Sequence, residues 1–537
     1  MQKYAGKGVS KGTAAGKIRL YARKEAAGPK RTVEDVQAEL ARFEEARREA
    51  EARIEGLYEK ALKEAGEEQA MIFEVHRMML EDADYLEAVR SLIREEKADA
   101  EYAVRTAGEQ FARMFSELDN DYMKQRSADV LDVSRQVAGI LAGGEEEASW
   151  DEPVILLARD LSPSETMQLD KDKILAFALC GGSANSHTAI LARSLNIPAL
   201  VQTQVELKEE YDGKQGAVDG FSGVLYVEPD EETLSELHER EERQKERRER
   251  LEQLKGLKNE TRDGRRVEIY ANIGSAEEVE KVLESDAGGI GLFRSEFLYL
   301  GREDYPTEEE QFEIYKEVLS RMGGKKVVIR TLDIGADKQA DYFGLPREEN
   351  PALGYRAIRI CLTRRDVFTA QLRAIYRASA YGRAAVMFPM VISVEEVRKI
   401  KEIVEEVKKE LSEEGKAVGE VELGIMVETP AAAIISDRLA EEVDFFSLGT
   451  NDLTQYTLAI DRQNQRLEEF FDAHHEAVLR LIELTVKNAH AAGIWAGICG
   501  DLAADESLTE RFLEMGVDEL SVAPSSVLSV REAVRNI

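Results

Sequence analysis

Eight short apolar runs separated by longer amphipathic segments occupy the second half of the 537-residue chain and leave it few ways to fold. They are VEIYAN from Val267, GIGLFR from Gly289, VVIRTLD from Val327, AVMFPM from Ala385, ELGIMVE from Glu422, DFFSLGTND from Asp444, IWAGIC from Ile494 and ELSVAP from Glu519. Each run has the length of a strand buried on both faces, and each intervening segment can hold a helix. Eight such units in residues 263–537 predict a (β/α)8 TIM barrel. In that fold the chemistry sits at the carboxyl ends of the strands. Asn272, Arg294, Arg330, Glu428, Asn451, Asp452 and Cys499 fall at those ends.

Arg294, Arg330, Arg356 and Arg462 lie on or beside strand-end loops, and guanidiniums there suit bidentate contacts to phosphate or carboxylate oxygens. A single arginine is more often a surface ion pair; several converging with carboxylates favour a site for a compact anion. Glu428 and Asp452 are one βα unit apart, so they project from neighbouring strand ends and suit one hard divalent cation, Mg²⁺ or Mn²⁺. Cys499 ends its run just before Gly500. A thiol there serves as proton donor or nucleophile, or else packs as a small apolar group. Cys361, away from any strand end, reads as packing.

In the first half, Lys7 to Tyr21 reads as short strands and turns, and Thr32 to Leu141 as an antiparallel helical bundle. Thr32 and Asp35 give a capping signal at its start, and Leu40, Phe43, Ile54, Leu57 and Ala61 recur at helical spacing. Strand-like runs return at Val154–Ala158, Ile174–Ala178, Pro198–Val201 and Gly223–Val227, so the bundle is inserted into an α/β domain. Residues 229–262, rich in Glu, Arg, Lys, Gln and Leu, read as a solvated linker helix with Glu239/Arg243, Glu241/Lys245 and Glu246/Arg250 at i,i+4 spacing.

His187 lies in GGSANSHTAILARS, where a glycine turn leads into a helix. Backbone amides at such a helix start can hold a phosphoryl group on a neutral imidazole, and the alternative is a capping or core histidine. Gly12 to Lys17 is one residue short of a P-loop and has Ile18 where the hydroxyl belongs, so no ATP motif is evident.

With 72 Lys and Arg against 105 Asp and Glu, the net charge of −33 argues against a nucleic-acid surface and for a partner with a basic face. No run approaches the length of a membrane span. Three scattered cysteines and a start without an apolar signal point to a reducing, cytoplasmic setting.

SHTAILARS and SLGTNDLTQYTLAIDRQN, together with GLFRSEF, RTLDIGADK, NPALGYRAIR, GIMVETPAA and GICGDLA in the family's order, resemble Enzyme I of the bacterial sugar phosphotransferase system, the phosphoenolpyruvate-protein phosphotransferases. QAMIFEVHRMMLEDADY and YMKQRSADVLDV resemble the family's helical subdomain that docks the phosphocarrier protein HPr. The resemblance implies a discontinuous α/β phosphohistidine domain (1–30 and 145–228), a helical HPr-binding subdomain (31–144), a linker helix (229–262) and a phosphoenolpyruvate-binding, dimerising TIM barrel (263–537).

It further implies His187 as phosphoryl acceptor, Cys499 as the donor of a proton to the departing enolate, and Arg294, Arg330, Lys338, Arg356, Asn451 and Arg462 as substrate ligands. Glu428 and Asp452 become the Mg²⁺ carboxylates, and a homodimer is expected through the barrel. Glu67, Glu68, Met78, Met79, Asp82, Asp84 and Arg126 would meet HPr, and a swivel about the 229–262 segment would carry His187 between sites. Cys180, Ser183 and Asn185 depart from the family's usual histidine loop. Phosphoenolpyruvate synthases and pyruvate phosphate dikinases share both motifs but need a nucleotide-binding domain; a non-catalytic docking paralogue would not need the full residue set, and a plain barrel aldolase leaves His187 idle.

Overall fold

The computed structural model describes residues 1–21, 30–64, 67–117, 121–143, 150–182, 186–194, 197–300, 302–335, 340–346, 348–462 and 464–537. They form two compact units, residues 1–246 and 247–537.

The first unit is built on an eight-stranded sheet of β1 (Gln2–Ala5), β2 (Lys7–Ser10), β3 (Thr13–Tyr21), β4 (Val154–Ala158), β5 (Ile174–Leu179), β6 (Ala199–Val201), β7 (Gln215–Asp219) and β8 (Val224–Val227). Their order is β1-β8-β7-β3-β4-β5-β6-β2. The central β3 to β6 run parallel, and antiparallel pairs flank them. Every residue of β4, VILLA, is buried, as the unbroken apolar run of a strand covered on both faces requires.

Between the neighbouring strands β3 and β4 the chain leaves the sheet to make five helices, α1 (Val36–Glu64), α2 (Glu67–Glu81), α3 (Ala83–Glu95), α4 (Ala100–Glu117) and α5 (Asp121–Leu141). Phe43, Ala50, Ile54, Leu57 and Ala61 put one stripe of α1 into a core shared with Phe73, Leu80, Val89, Ile93, Val104 and Val133. Each large side chain so buried contributes about 1.5–3 kcal/mol. The capping signal resolves onto Asp35, whose Oδ1 accepts the amides of Gln37 and Ala38 at 3.0 Å. Thr32 lies a turn too early to cap and instead bridges to Ala98. Two short helices follow β4 and β5, α6 (Pro163–Gln168) and α7 (His187–Ser194). α6 is tied to the bundle, since Asp132 accepts the Ser164 amide at 3.2 Å and Gln136 donates to the Ser164 hydroxyl at 2.7 Å.

α8 (Glu231–Glu252) is shorter than the helix expected over 229–262: it ends at Glu252, and turns follow through Gly256 at φ +78°. Its ion pairs also run elsewhere, Arg240 to Asp219 at 2.6 Å and Arg250 to Glu532 at 2.7 Å. An exposed i,i+4 pair is worth only about 0.2–0.5 kcal/mol, too little to hold a side chain against a fixed carboxylate on another element.

The second unit is a closed, all-parallel barrel of β9 (Glu268–Ile273), β10 (Ile290–Arg294), β11 (Val327–Arg330), β12 (Ala384–Phe388), β13 (Val421–Val427), β14 (Phe445–Leu448), β15 (Trp495–Ile498) and β16 (Glu519–Val522). All eight apolar runs became its strands, with helices between them. Leu292, Val328, Ala385, Met387, Met426, Phe445 and Cys499 cluster within it. At its amino-terminal end Lys326 binds Glu422 at 2.6 Å and lies 4.6 Å above the Trp495 ring, which stacks on Phe445 with centroids 4.4 Å apart. The barrel is thereby filled below, and the opposite end is left for chemistry. No helix among the described residues is long and apolar enough to cross a membrane.

Candidate active site at the barrel mouth

Strand register brings the predicted cations together, because Arg294 ends β10 directly beside Arg330 at the end of β11. Arg330 is buried, paired with Glu296 and, at 3.1 Å, with Asp333. Burial opposes its charge, but Glu296, Asp333 and Glu428 outweigh that and raise its pKa further. Arg356 reaches Asp333 at 2.9 Å, Asp452 at 3.4 Å and the Tyr456 hydroxyl at 3.1 Å, with its charge held in the same way by Asp333, Asp452 and Glu428. Arg462, its side chain 33% exposed, lies 3.5 Å from the other Asp452 oxygen. Among the described residues the buried Nε atoms of Arg294, Arg330 and Arg356 have no hydrogen-bond partner, as is expected of donors awaiting an anion.

Glu428 follows β13, and its Oε1 accepts the Met390 amide at 2.6 Å; Met390 is held at φ +58°, a strained backbone that aims this N–H. Burial first, then the nearby Asp452 and Asp333, pushes the Glu428 carboxyl up to about 8. Two hard oxygen donors that repel one another this strongly fit a divalent cation, which would relieve the repulsion. Among the described residues no three His, Cys, Asp or Glu side chains are arranged as a metal cage, so Glu428 and Asp452 would hold it with substrate or water oxygens completing the shell.

Cys499 follows β15 and is buried, its thiol donating to the Leu448 carbonyl at 3.6 Å. Burial pushes its pKa up to about 12, against the pull of Ser447 and Arg330. It is a neutral thiol at physiological pH, which suits a proton donor and not a thiolate nucleophile. Asn451 exchanges hydrogen bonds with Asp501 at 3.0 and 2.9 Å. Asn272 turns inward, donating to the carbonyls of Cys499 and Ser521 at 3.1 Å each, so it supports the mouth from within. Lys338 lies outside the described residues.

Sequence reasoning missed Asp333 and Glu296, the carboxylates that space the arginines. The available signal was local: each lies two or three residues beyond a strand-end arginine, in FRSE and RTLD.

In the first unit, α7 begins at His187, whose side chain lies outside the described residues, as do Ser183 and Asn185. The turn before it passes through Gly182 at φ +81°, and the Ser186 hydroxyl accepts the Ala189 amide at 3.3 Å, capping the helix. Cys180 donates to the Val205 carbonyl at 3.3 Å, and burial raises its pKa. On the bundle, Met78 is 65% exposed and Met71 and Met114 about half exposed, while Met79 is partly buried. Asp82 caps α3 by accepting the Tyr85 amide at 2.8 Å, Asp84 is exposed beside it, and Arg126 lies 3.7 Å from Asp129. The side chains of Glu67 and Glu68 lie outside the described residues.

Three family models match the chain: PEP-utilising enzyme, N-terminal, over residues 5–126; its mobile domain over 150–223; and its PEP-binding domain over 248–537. The phosphoenolpyruvate-protein phosphotransferase of Bacillus subtilis (strain 168) is 42% identical over 100% of this chain and 95% of its own. The chain belongs to the phosphoenolpyruvate-protein phosphotransferase family. The family's Priestia megaterium member is 43% identical over 95% of this chain and 89% of its own, and that of Staphylococcus aureus 42% identical over 94% and 89%. It is a family of transferases, and the barrel with its arginine-lined mouth coincides with the PEP-binding domain.

Proposed function

We propose that this phosphotransferase moves the phosphoryl group of phosphoenolpyruvate to its own His187 and then to a histidine of HPr, releasing pyruvate, as the first step of phosphotransferase-system sugar uptake. The observation that carries this reading is the mouth itself, where guanidiniums whose Nε atoms have no partner among the described residues and two mutually repelling carboxylates stand above a buried, protonated thiol. Phosphoryl transfer asks a protein mainly for positioning and charge neutralisation, and these groups supply both.

Arg294, Arg330, Arg356 and Arg462 bind the substrate's phosphate and carboxylate, with Asn451 and Lys338 beside them. Glu428 and Asp452 would hold Mg²⁺, or Mn²⁺, which neutralises phosphoryl charge when bound. His187 attacks phosphorus in line through a neutral ring nitrogen. The bond from phosphorus to the bridging oxygen breaks, and its electron pair remains with the enolate. The enolate carbon takes the Cys499 proton to give pyruvate, and solvent returns a proton to the thiolate. The exposed Met71, Met78 and Met114, with Asp82 and Asp84, offer adaptable apolar and acidic surface to a small basic-rimmed protein such as HPr, the region to which Glu67, Glu68, Met79 and Arg126 also belong. Exposed Leu353, Ile434 and Phe470 are apolar barrel-unit surface that a homodimer would cover. The setting consistent with this role is the cytoplasm.

Phosphoenolpyruvate labelled at phosphorus tests the scheme. The parent protein with Mg²⁺ should take up label and lose it to added HPr, and His187→Ala should take up none. A His187→Ala protein that labels and discharges normally would overturn the assignment.

A further inference from the structure

TIM-barrel interiors are usually filled with bulky branched side chains. One sector of this barrel is polar instead: Glu519 and Ser521 on β16, Asn272 on β9 and Cys499 after β15. Glu519 is 2% exposed and registers with Gly497, two residues before Cys499. The backbone makes room for it. A Cβ on Gly497 would stand 2.0 Å from Glu519 Oε2, and one on Gly291 would stand 2.3 Å from Oε1 and 2.1 Å from the Ser521 hydroxyl. Two glycines on two other strands thus admit the carboxyl and set it beside that hydroxyl. A buried acid is costly, and nothing in the scheme above uses this one.

Donor accounting favours its protonated form. Both Asn272 Nδ2 hydrogens are committed to carbonyls, of Cys499 and Ser521, so the Asn272 carbonyl oxygen needs an outside donor. That donor is the Ser521 hydroxyl at 2.7 Å. Ser521 then has only lone pairs to offer Glu519, whose Oε1 is buried without a hydrogen-bond partner among the described residues, so a proton on the carboxyl supplies the donor this contact lacks. The groups around Glu519 agree. Lys326 is engaged by Glu422, while Glu268, Asp518, Tyr270 and the Cys499 thiol bring no positive charge. Burial, with Glu268 and Asp518, pushes the Glu519 carboxyl up to about 8, against Lys326 and a Ser521 hydroxyl that turns to the carboxylate only by leaving Asn272.

We propose that Glu519, in its neutral form, is a positioning residue for Cys499: it donates to Ser521, which donates to Asn272, whose amide holds the Cys499 carbonyl and so sets the thiol under the substrate. This rests on the reading of Cys499 as proton donor. Ionisation of Glu519 reverses the first link, frees the Asn272 amide and lets the thiol drift from the enolate carbon.

The test is single-turnover pyruvate formation by the full-length protein with phosphoenolpyruvate and Mg²⁺ from pH 6 to 10, for the parent, Glu519→Gln, Glu519→Ala and Cys499→Ala. The parent rate should fall as pH rises through about 8. Glu519→Gln, which keeps a donor and cannot ionise, should stay within about threefold of the parent at pH 7 and show no fall through pH 9. Glu519→Ala should be at least about tenfold slower than the parent at pH 7, with the gap narrowing as the parent falls through about pH 8. An alkaline fall that persists in Glu519→Gln, or a Glu519→Ala protein at the parent rate, overturns the proposal. If Glu519→Ala does not fold, the Glu519→Gln profile decides alone. A Cys499→Ala protein at the parent rate would instead overturn the donor reading, so the two failures are told apart.

Discussion

At the amino-terminal end of the barrel Lys326 meets one carboxylate, Glu422, at 2.6 Å and lies over one ring, Trp495. At the carboxyl-terminal end Arg330, Arg356 and Arg462 divide Glu296, Asp333 and Asp452 among them, three guanidinium Nε atoms have no partner among the described residues, and Glu428 is pushed up to about 8. Both ends take charge out of water. The lower group is satisfied within itself, Glu422 also accepting from Trp495 Nε1 at 3.1 Å and lying 3.4 Å from Arg383, whereas the upper network leaves donors unsatisfied and two carboxylates opposed. An incompletely satisfied polar cluster is poor for stability and good for a ligand that completes it.

Removing one charge from each end should therefore break the protein in different ways. At the mouth, Arg294→Ala should lower kcat/KM for phosphoenolpyruvate by about 10²–10³-fold, the loss of one charged donor to a transferring phosphoryl group, with little change in melting temperature; steady-state rates and thermal melts check both. At the base, Lys326→Met should cost about 1–3 kcal/mol of stability in urea unfolding and leave kcat within about threefold, because Glu422, mostly buried, loses its nearest cation and keeps only Trp495 Nε1 at 3.1 Å and Arg383 at 3.4 Å. If instead the base variant lost activity and the mouth variant lost stability, the distinction between the two ends would fail.

pH sharpens the same contrast. Glu519, between the two ends, keeps its proton in the fold up to about 8, while an unfolded glutamate releases its proton near the usual ~4.3. Between those values the native state holds a proton that the unfolded chain has lost. Stability from this group is fully present below about pH 4 and is lost as pH rises to about 8, at up to about 1.4 kcal/mol per unit. Glu519→Gln removes the dependence, so its melting temperature relative to the parent should climb from pH 5 to pH 8 and level off above. A difference that stays flat with pH would show the acid ionised in the fold. The smallest effect is expected on α8, where Arg250→Ala breaks an exposed contact to Glu532 and should shift stability by no more than about 1 kcal/mol.

The barrel was legible in the sequence because a strand buried on both faces writes itself as an uninterrupted apolar run, and all eight runs did so. The mouth arginines and Glu428 were legible because a parallel barrel places strand ends on one rim, so position along a run gives position in space. Asp333 and Glu296 were not, since pairing across strands depends on register and rotamer that no local spacing records. Asn272 was misjudged as facing the mouth for the same reason. Thr32 and the expected pairs along α8 failed where several weak local interactions compete and tertiary contacts choose among them. The polar column beneath Cys499 was invisible: Glu519 stands at the start of a strand-like run, and only Gly291 and Gly497, far away in sequence, show that it turns inward.

One turnover tests the central claim most directly: the amount of pyruvate released against the amount of phosphohistidine mapped to His187, in the same quenched sample of protein mixed with phosphoenolpyruvate and Mg²⁺. One pyruvate for each phosphoryl group on His187 is the predicted result. Pyruvate without label on His187, or label on another residue, would contradict it.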